Sequence, residues 1–239
     1  MTRNSFHGFP EELFIFLEAL RENNNRDWFN ANKDSYRHYV VEPVSEFIQA
    51  MSPRLGRITD SYLADPRPNG GSMFRIYRDI RFSKDKRPYK THVGCHFRHM
   101  AGKDAHAPGF YVHLEPGKVL FGGGVWKPPG PTLAQIRASI AERPEEWTRI
   151  SQNKSLRKRF GPIQGERLKR PPRGYEPDQP CIEDLKLKSL FLIQEEEADL
   201  ALTPDLIKEI VRSFKTAAPF MQFLTTALEL PFNRKPPTS

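Results

Sequence analysis

The densest chemistry in the sequence runs from Arg75 to Lys90. Arg75, Arg78, Arg81, Lys84, Lys86, Arg87 and Lys90 place seven basic side chains in this stretch, with Asp79 and Asp85 among them. Guanidinium groups offer planar forks that match phosphate or carboxylate, and lysines add point charges. Arg75, Arg78, Arg81, Lys86, Tyr89 and Lys90 are therefore the candidate ligand-binding residues. The competing reading is an ion-pair ladder that only braces the fold. Proton transfer needs one positioned group, which makes Asp79, His113 and Glu115 the candidate catalytic residues.

A metal is not expected. His92, His96 and His113 with Glu115 and Asp79 are the residue types of a metal site, but His92 and His96, i and i+4 on one strand face, sit roughly 13 Å apart. A shared ion would need convergence from several strands. No cofactor is assigned. Gly122-Gly123-Gly124 lacks the spacing of a P-loop or dinucleotide fingerprint and reads as a tight turn or close backbone packing. Trp126 and Trp147 read as core or lid aromatics.

The elements that must position these groups follow from periodicity. Leu13, Phe16, Leu17 and Leu20 make one helical stripe between Pro10 and Asn23. A second helix is expected from about Asp27, carrying Trp28, Phe29, Tyr36 and Tyr39. A third follows Pro43, with Val44, Phe47, Ile48, Met51 and Leu55 on one face. Residues 56–72 read as a loop. The period then falls to two. In residues 73–82, Phe74, Ile76, Ile80 and Phe82 are expected on one face, and Arg75, Tyr77, Asp79 and Arg81 on the other.

Residues 90–98 and 109–115 alternate in the same way, and 118–122 follow the Pro116-Gly117 turn as the second arm of a hairpin. The expected register sets Arg75, Asp79 and Arg81 opposite Tyr111, His113 or Glu115. Arg78 points the other way, with Asp85 as its nearest partner in sequence. Beyond the sheet, Thr132 is expected to cap a helix carrying Leu133, Ile136 and Ile140. A further helix is expected from Pro144 to about Asn153, and one more strand within Leu185 to Ile193. Thr203-Pro204-Asp205 starts a last helix, which Pro219 is expected to break, with Phe220 to Leu230 as a short continuation.

The run Arg75-x-x-Arg78-Asp79-x-Arg81-Phe82, followed by Asp85-Lys86-x-x-Tyr89, resembles the signature of the bacterial domain-of-unknown-function 2461 family. The similarity extends over nearly the whole chain. It includes the Asn23 to Phe29 run, Tyr111-x-His113-x-Glu115-Pro116-Gly117, the three glycines 122–124, and the run from Leu168 to Gly174-Tyr175. The resemblance implies that the motif positions are candidate site residues, and it implies no catalytic role.

Composition sets the remaining bounds. The chain has 239 residues, with 37 basic against 29 acidic side chains and a net charge of +8. An anionic partner suits that balance. Residues 154–175 carry eight basic side chains against Glu166 alone, while Phe160 and Tyr175 are their only aromatics and no nucleic-acid module surrounds them. A solvated surface is the expectation there, with nucleic acid as the alternative partner. The stretch 183–209 swings acidic.

Cys95 and Cys181 are too few for a disulfide framework. Cys95, alternating with Val93 and Phe97, is expected to be buried and unpaired. With no apolar run of about 18 residues and no signal-peptide pattern at Met1 to His7, no membrane partner is expected and the location is expected to be cytoplasmic. Prolines cluster only at 127–131, 170–173 and 235–237.

The expected architecture is α+β: a single domain over 1–239 with helices at about 10–55, a central antiparallel sheet at about 73–122, and a mixed and helical remainder at about 131–230. The N- and C-terminal helices cover one face of the sheet. Two functions fit: a module that binds an anionic, phosphate-bearing ligand, or an enzyme acting on an anionic substrate.

Overall fold

A computed structural model describes residues 6–101 and 107–233 of the chain. The proline cluster at 235–237 and the first residues of the N-terminal run lie outside the described residues.

The helical N-terminal part forms where the apolar stripe predicts it. Helix α1 spans Glu11–Glu22 and buries Leu13, Phe16, Leu17 and Leu20. The Asn25 side chain caps α2, Arg26–Ala31, by accepting the Trp28 N–H. The expected second helix is broken at Asn32, which separates α2 from α3, Lys33–Tyr36. A π-helical turn over Arg37–Val41 then leads straight into α4, Glu42–Leu55. Tyr36 and Tyr39 thus stand on this continuation rather than on α2.

Four strands make one antiparallel sheet in the order β1 (Val93–Arg98), β2 (Gly109–Glu115), β3 (Lys118–Val125) and β4 (Leu190–Glu197). The register pairs Val93 with Leu114, Cys95 with Val112 and Phe97 with Phe110, then Val112 with Phe121. This alternation puts Val93, Cys95, Phe97, Phe110, Val112, Leu114, Val119 and Phe121 on one buried face. Phe97 meets Phe47 of α4, and Phe110 stacks on Phe214 at 4.5 Å. Phe214 belongs to α9, Asp205–Ala227, so N- and C-terminal helices cover the same face. Each aromatic or leucine fully buried there contributes about 1.5–3 kcal/mol. The architecture is α+β.

Both outer edges of the sheet are partly covered by irregular chain. On the β1 side, Met73 bridges to Cys95, with Phe74 N–H donating to Gly94 O and His96 N–H to Ser72 O. On the β4 side, Gln164 and Phe191 exchange both backbone bonds. The glycine run 122–124 lies inside β3 as close packing. A Cβ at Gly122 would stand 1.8 Å from the Leu192 carbonyl oxygen, and one at Gly123 would stand 2.8 Å from Met221 Sδ.

Several expectations are corrected. Residues 73–82 are not a strand. After the bridge at Met73 the chain leaves the sheet, and a second short ribbon forms where Tyr77 bridges Tyr89, Arg78 N–H bonds Pro88 O, and Lys90 N–H bonds Ile76 O. Residues 79–87 form the irregular end of this arm, and among the described residues no strand lies beside them to pair with. The expected phase is also reversed at its start. Met73 takes the buried face, and Phe74 lies over the polar one, stacked on His96. Phe82, expected on the apolar side, is 95% exposed.

Beyond the sheet, α5 starts at Gly130, so Thr132 lies inside it and does not cap it. The helix expected from Pro144 is α6, Pro144–Ser151. Part of the basic stretch forms α7, Lys154–Phe160, and Ile182–Leu185 forms α8, so the last strand begins five residues later than Leu185. Pro219 does not break α9. The proline removes one helical N–H, but Ala217, Ala218, Phe220, Met221, Phe223 and Leu224 around it are buried, and their packing holds the helix through the gap. Cys95 is buried and unpaired, and burial pushes its thiol up to about 12. Cys181 is half-buried and also unpaired.

Candidate functional site

The polar face of the sheet opposes the α4 and α9 side. The β1–β2 register that sets Val93 against Leu114 also sets Gly94 against His113 and His96 against Tyr111. Tyr111, His113 and Glu115 therefore rise from one strand on the polar face. Their neighbours are Gly94, which presents no side chain, and His92 at the lead-in to β1. A Cβ at Gly94 would come within 2.8 Å of Tyr111 Oη, so the glycine leaves the room that the phenol fills.

These side chains form a short connected row. Tyr111 Oη lies 3.1 Å from His113 Nδ1. On the other side of the ring, His113 Nε2 lies 3.2 Å from Glu115 Oε2. That contact has the distance of an ion pair but not the direction of a hydrogen bond, and Nε2 is buried without a hydrogen-bond partner. Lys118 Nζ holds the other carboxylate oxygen of Glu115 at 3.1 Å and reaches Glu195 at 3.7 Å. The His92 ring stacks on His113 with centroids 4.4 Å apart. One ring nitrogen from each histidine and one Glu115 oxygen lie within 4.8 Å of one another.

Burial and charge set the protonation of this row. Burial depresses His92 to about 4, helped by His113, Lys90 and Arg78 and opposed by Glu115. Burial also lowers His113, although Glu115 pulls the other way. For Glu115 burial is the largest influence and raises the pKa, but the imidazole and the Lys118 ammonium outweigh it and hold the carboxyl below its usual range. The face thus carries two neutral imidazoles and one carboxylate at neutral pH. Burial pushes the Tyr111 phenol up.

The arginine-rich candidates do not gather on this face. Asp79 and Arg81 pair with each other at 2.7 Å on the exposed arm, where the Arg81 guanidinium holds Asp79 down at about 2. Neither meets Tyr111, His113 or Glu115, because the chain has left the sheet before it reaches them. Lys86 donates to the Ile80 carbonyl at the same end of the arm. Tyr89 is buried, with its ring stacked on Phe29 at 4.1 Å, and forms part of the core. Arg75 is exposed, and its carbonyl accepts from Lys90 Nζ at 2.8 Å.

Arg78 pairs with Asp85 at 2.5 Å, as the sequence predicts. Asp85 also holds Arg87 at 2.7 Å, so one carboxylate faces two guanidinium groups and a positive charge is left over. Of the six ligand-binding candidates, Lys90 and Arg78 are the ones whose charge acts on His92. His96 stays apart, with its ring over Gly109 and against Phe74. His92, weighed from the sequence as a possible ligand beside His96, completes the site together with Lys118, which residue type alone does not single out. The register brings His92 to His113 and Glu115, since His92 immediately precedes Val93, which pairs with Leu114 between them.

A surface cleft of about 550 Å³ lies elsewhere, lined by Arg54, Arg57, Lys208 and Lys215 among others, and shares no residue with this row. Among the described residues no helix is long and apolar enough to cross a membrane. The family model described as "Conserved hypothetical protein (DUF2461)" matches residues 12–223. No curated protein and no solved structure matches the chain.

Proposed function

We propose, for a chain that belongs to the DUF2461 family of conserved hypothetical proteins, that the polar sheet face around His113 binds an anionic ligand. The observation that carries this reading is the convergence of His92, His113 and Glu115 within 4.8 Å, beside the Lys90 and Arg78 charges. Lys90 is half-buried, and burial together with Arg75 lowers its pKa. A partly desolvated ammonium binds an anion more strongly than one in open water. The ligand expected here is a small phosphate- or carboxylate-bearing molecule. The exposed Asp79–Arg81 pair plays no part in it. Unpaired Cys95 and Cys181 support a reducing, cytoplasmic setting.

The test is a thermal-shift screen of phosphate- and carboxylate-bearing small molecules, followed by calorimetry on hits. Lys90→Ala should weaken a hit by roughly 1.5–3 kcal/mol, the scale of a charged hydrogen bond. Arg81→Ala should leave binding unchanged. A wild-type chain that binds nothing in the screen, or binding that responds to Arg81 and not to Lys90, would overturn the reading.

A second reading is favoured by the His113–Glu115 contact. An imidazole kept neutral by burial, with a carboxylate 3.2 Å from one ring nitrogen and a phenol 3.1 Å from the other, has the parts of a general base. On that reading the protein is an enzyme acting on the same anion, and Glu115→Gln would abolish turnover while keeping ligand binding.

A further inference from the structure

We infer that His92, His113 and Glu115 form a site for one divalent first-row transition ion of the zinc type, with a coordination position left open. The inference deepens the anion reading, and it rests on that reading only for what fills the open position.

Two imidazoles and one carboxylate are a donor set that zinc uses in sites where the fourth position takes water or substrate. A tetrahedral ion with bonds of about 2.0–2.2 Å holds its donors about 3.4 Å apart. The three donors here lie within 4.8 Å of one another, so contraction by at most about 1.4 Å, within reach of side-chain rotations, would close the site. The convergence does not depend on a loose loop. His113 and Glu115 alternate on β2, and His92 is carried by the residue pairing that starts at Val93 and Leu114. Among the described residues, no other group of three such side chains meets this spacing.

The surroundings of the donors fit the same purpose. His113 Nε2 is buried and faces Glu115 Oε2 at 3.2 Å without hydrogen-bond geometry, so both atoms are free to turn to an ion between them. Tyr111 Oη engages Nδ1, so the imidazole can donate there and present the Nε2 lone pair. Lys118 occupies Glu115 Oε1, and Oε2 is the oxygen turned toward His113. Lys90, Arg78 and Lys118 oppose a bare dication, with only Glu115 to offset them. An anion in the open position offsets that repulsion, so ion and anionic ligand should strengthen each other.

The test titrates the full chain, stripped with a chelator, with Zn²⁺ by calorimetry and with Co²⁺ by visible absorption. One ion per chain is expected, with Co²⁺ bands of a four- or five-coordinate nitrogen–oxygen site. His92→Gln, His113→Gln and Glu115→Gln should each weaken binding at least tenfold. Tyr111→Phe should weaken it by about 10–100-fold through the lost support of His113. His38→Gln, on an exposed residue, should change nothing. Melting curves without metal establish that each variant is folded, and His92→Gln, at the lead-in to β1, serves if a β2 variant is not.

No uptake by the wild type would overturn the inference, as would uptake that is the same in Glu115→Gln and His92→Gln. The anion screen repeated in chelator keeps the two readings apart. Anion binding without metal uptake removes the metal site and leaves the anion site. Metal uptake without anion binding does the reverse.

Discussion

The side-chain amide of Asn24 bonds both backbone groups of Tyr89, 65 residues away. Its Nδ2 donates to Tyr89 O at 3.1 Å, and its Oδ1 accepts from Tyr89 N–H at 3.0 Å. Asn24 thus does for Tyr89 what a neighbouring strand would do. The Tyr89 ring stacks on Phe29 of α2, so the base of the basic arm is joined both to the turn after α1 and to the helix that follows it. Lys90 and His92 leave from this joint, and its rigidity fixes where they point. Asn24→Ala should cost about 2 kcal/mol, the sum of two hydrogen bonds of about 1 kcal/mol each. Urea denaturation measures it, and an unchanged midpoint would show that the arm is held by the ring stack alone.

Gly94→Ala tests the space under Tyr111. The added Cβ would sit 2.8 Å from Tyr111 Oη and 3.0 Å from Phe74. Overpacking of this kind typically costs about 1–3 kcal/mol. The phenol should shift from His113 Nδ1, which would appear as a changed His113 ring resonance in NMR spectra. A variant as stable as the wild type, with that resonance unmoved, would mean that the phenol is not held where Gly94 leaves room.

Asp85 links acid stability to the arm. Its carboxyl is held far below the usual carboxylate range, first by hydrogen bonds from Arg87 and then by those from Arg78. A depressed folded-state pKa means that the unfolded chain takes up the proton first as pH falls. The stabilisation is therefore fully present above the unfolded value of about 3.9 and is lost as pH falls through the lower folded value. Asp85→Asn should flatten the acid limb of the stability profile below about pH 4. Urea midpoints measured across that range check it, and parallel profiles for the two proteins would count against the pairing.

Asp184 should behave in the opposite sense. It accepts from Trp147 Nε1 at 2.7 Å, and burial raises its pKa. The ionised form therefore costs stability at pH above the folded pKa, and that cost disappears as pH falls below the unfolded value. Asp184→Asn keeps an acceptor without the charge and should be neutral or stabilising at pH 7. Asp184→Ala leaves the buried indole N–H unpaired and should cost about 1–3 kcal/mol. Melting temperatures of the two variants at pH 7 decide, and equal losses would show that the hydrogen bond is not the reason for the aspartate.

Alternation of side chains was enough to read Val93, Cys95 and Phe97, or Phe110, Val112 and Leu114, because those residues have partner strands on both sides or an edge bridge. The same alternation misled at 73–82. Period two reports which way side chains point, and it does not report whether a neighbouring backbone exists to pair with. Asp79 and Arg81, two apart, face the same way and simply grip each other in solvent. The helix break at Asn32 and the intact helix at Pro219 are likewise decided by packing, which local propensity does not contain. The meeting of His92 with His113 was hidden for another reason. The neighbour of His92 across the sheet depends on the length of the connection after β1, and two histidines 21 positions apart carry no shared period. Cys95 needed none of this, since its strand neighbours alone place it.

The irregular segments beside β1 and β4 also bear on how the protein behaves at high concentration. An uncovered strand edge is a template on which a second copy can add its own strand. Here Ser72 to Phe74 occupies the β1 edge, and Gln164 occupies the start of the β4 edge, with its side chain also bonding Ile193 O. The stretch of β4 that continues past Gln164 carries Glu195, Glu196 and Glu197 in succession. A second copy docking there would bring like charges together, so the sheet resists edge-to-edge aggregation by cover at one end and by repulsion at the other.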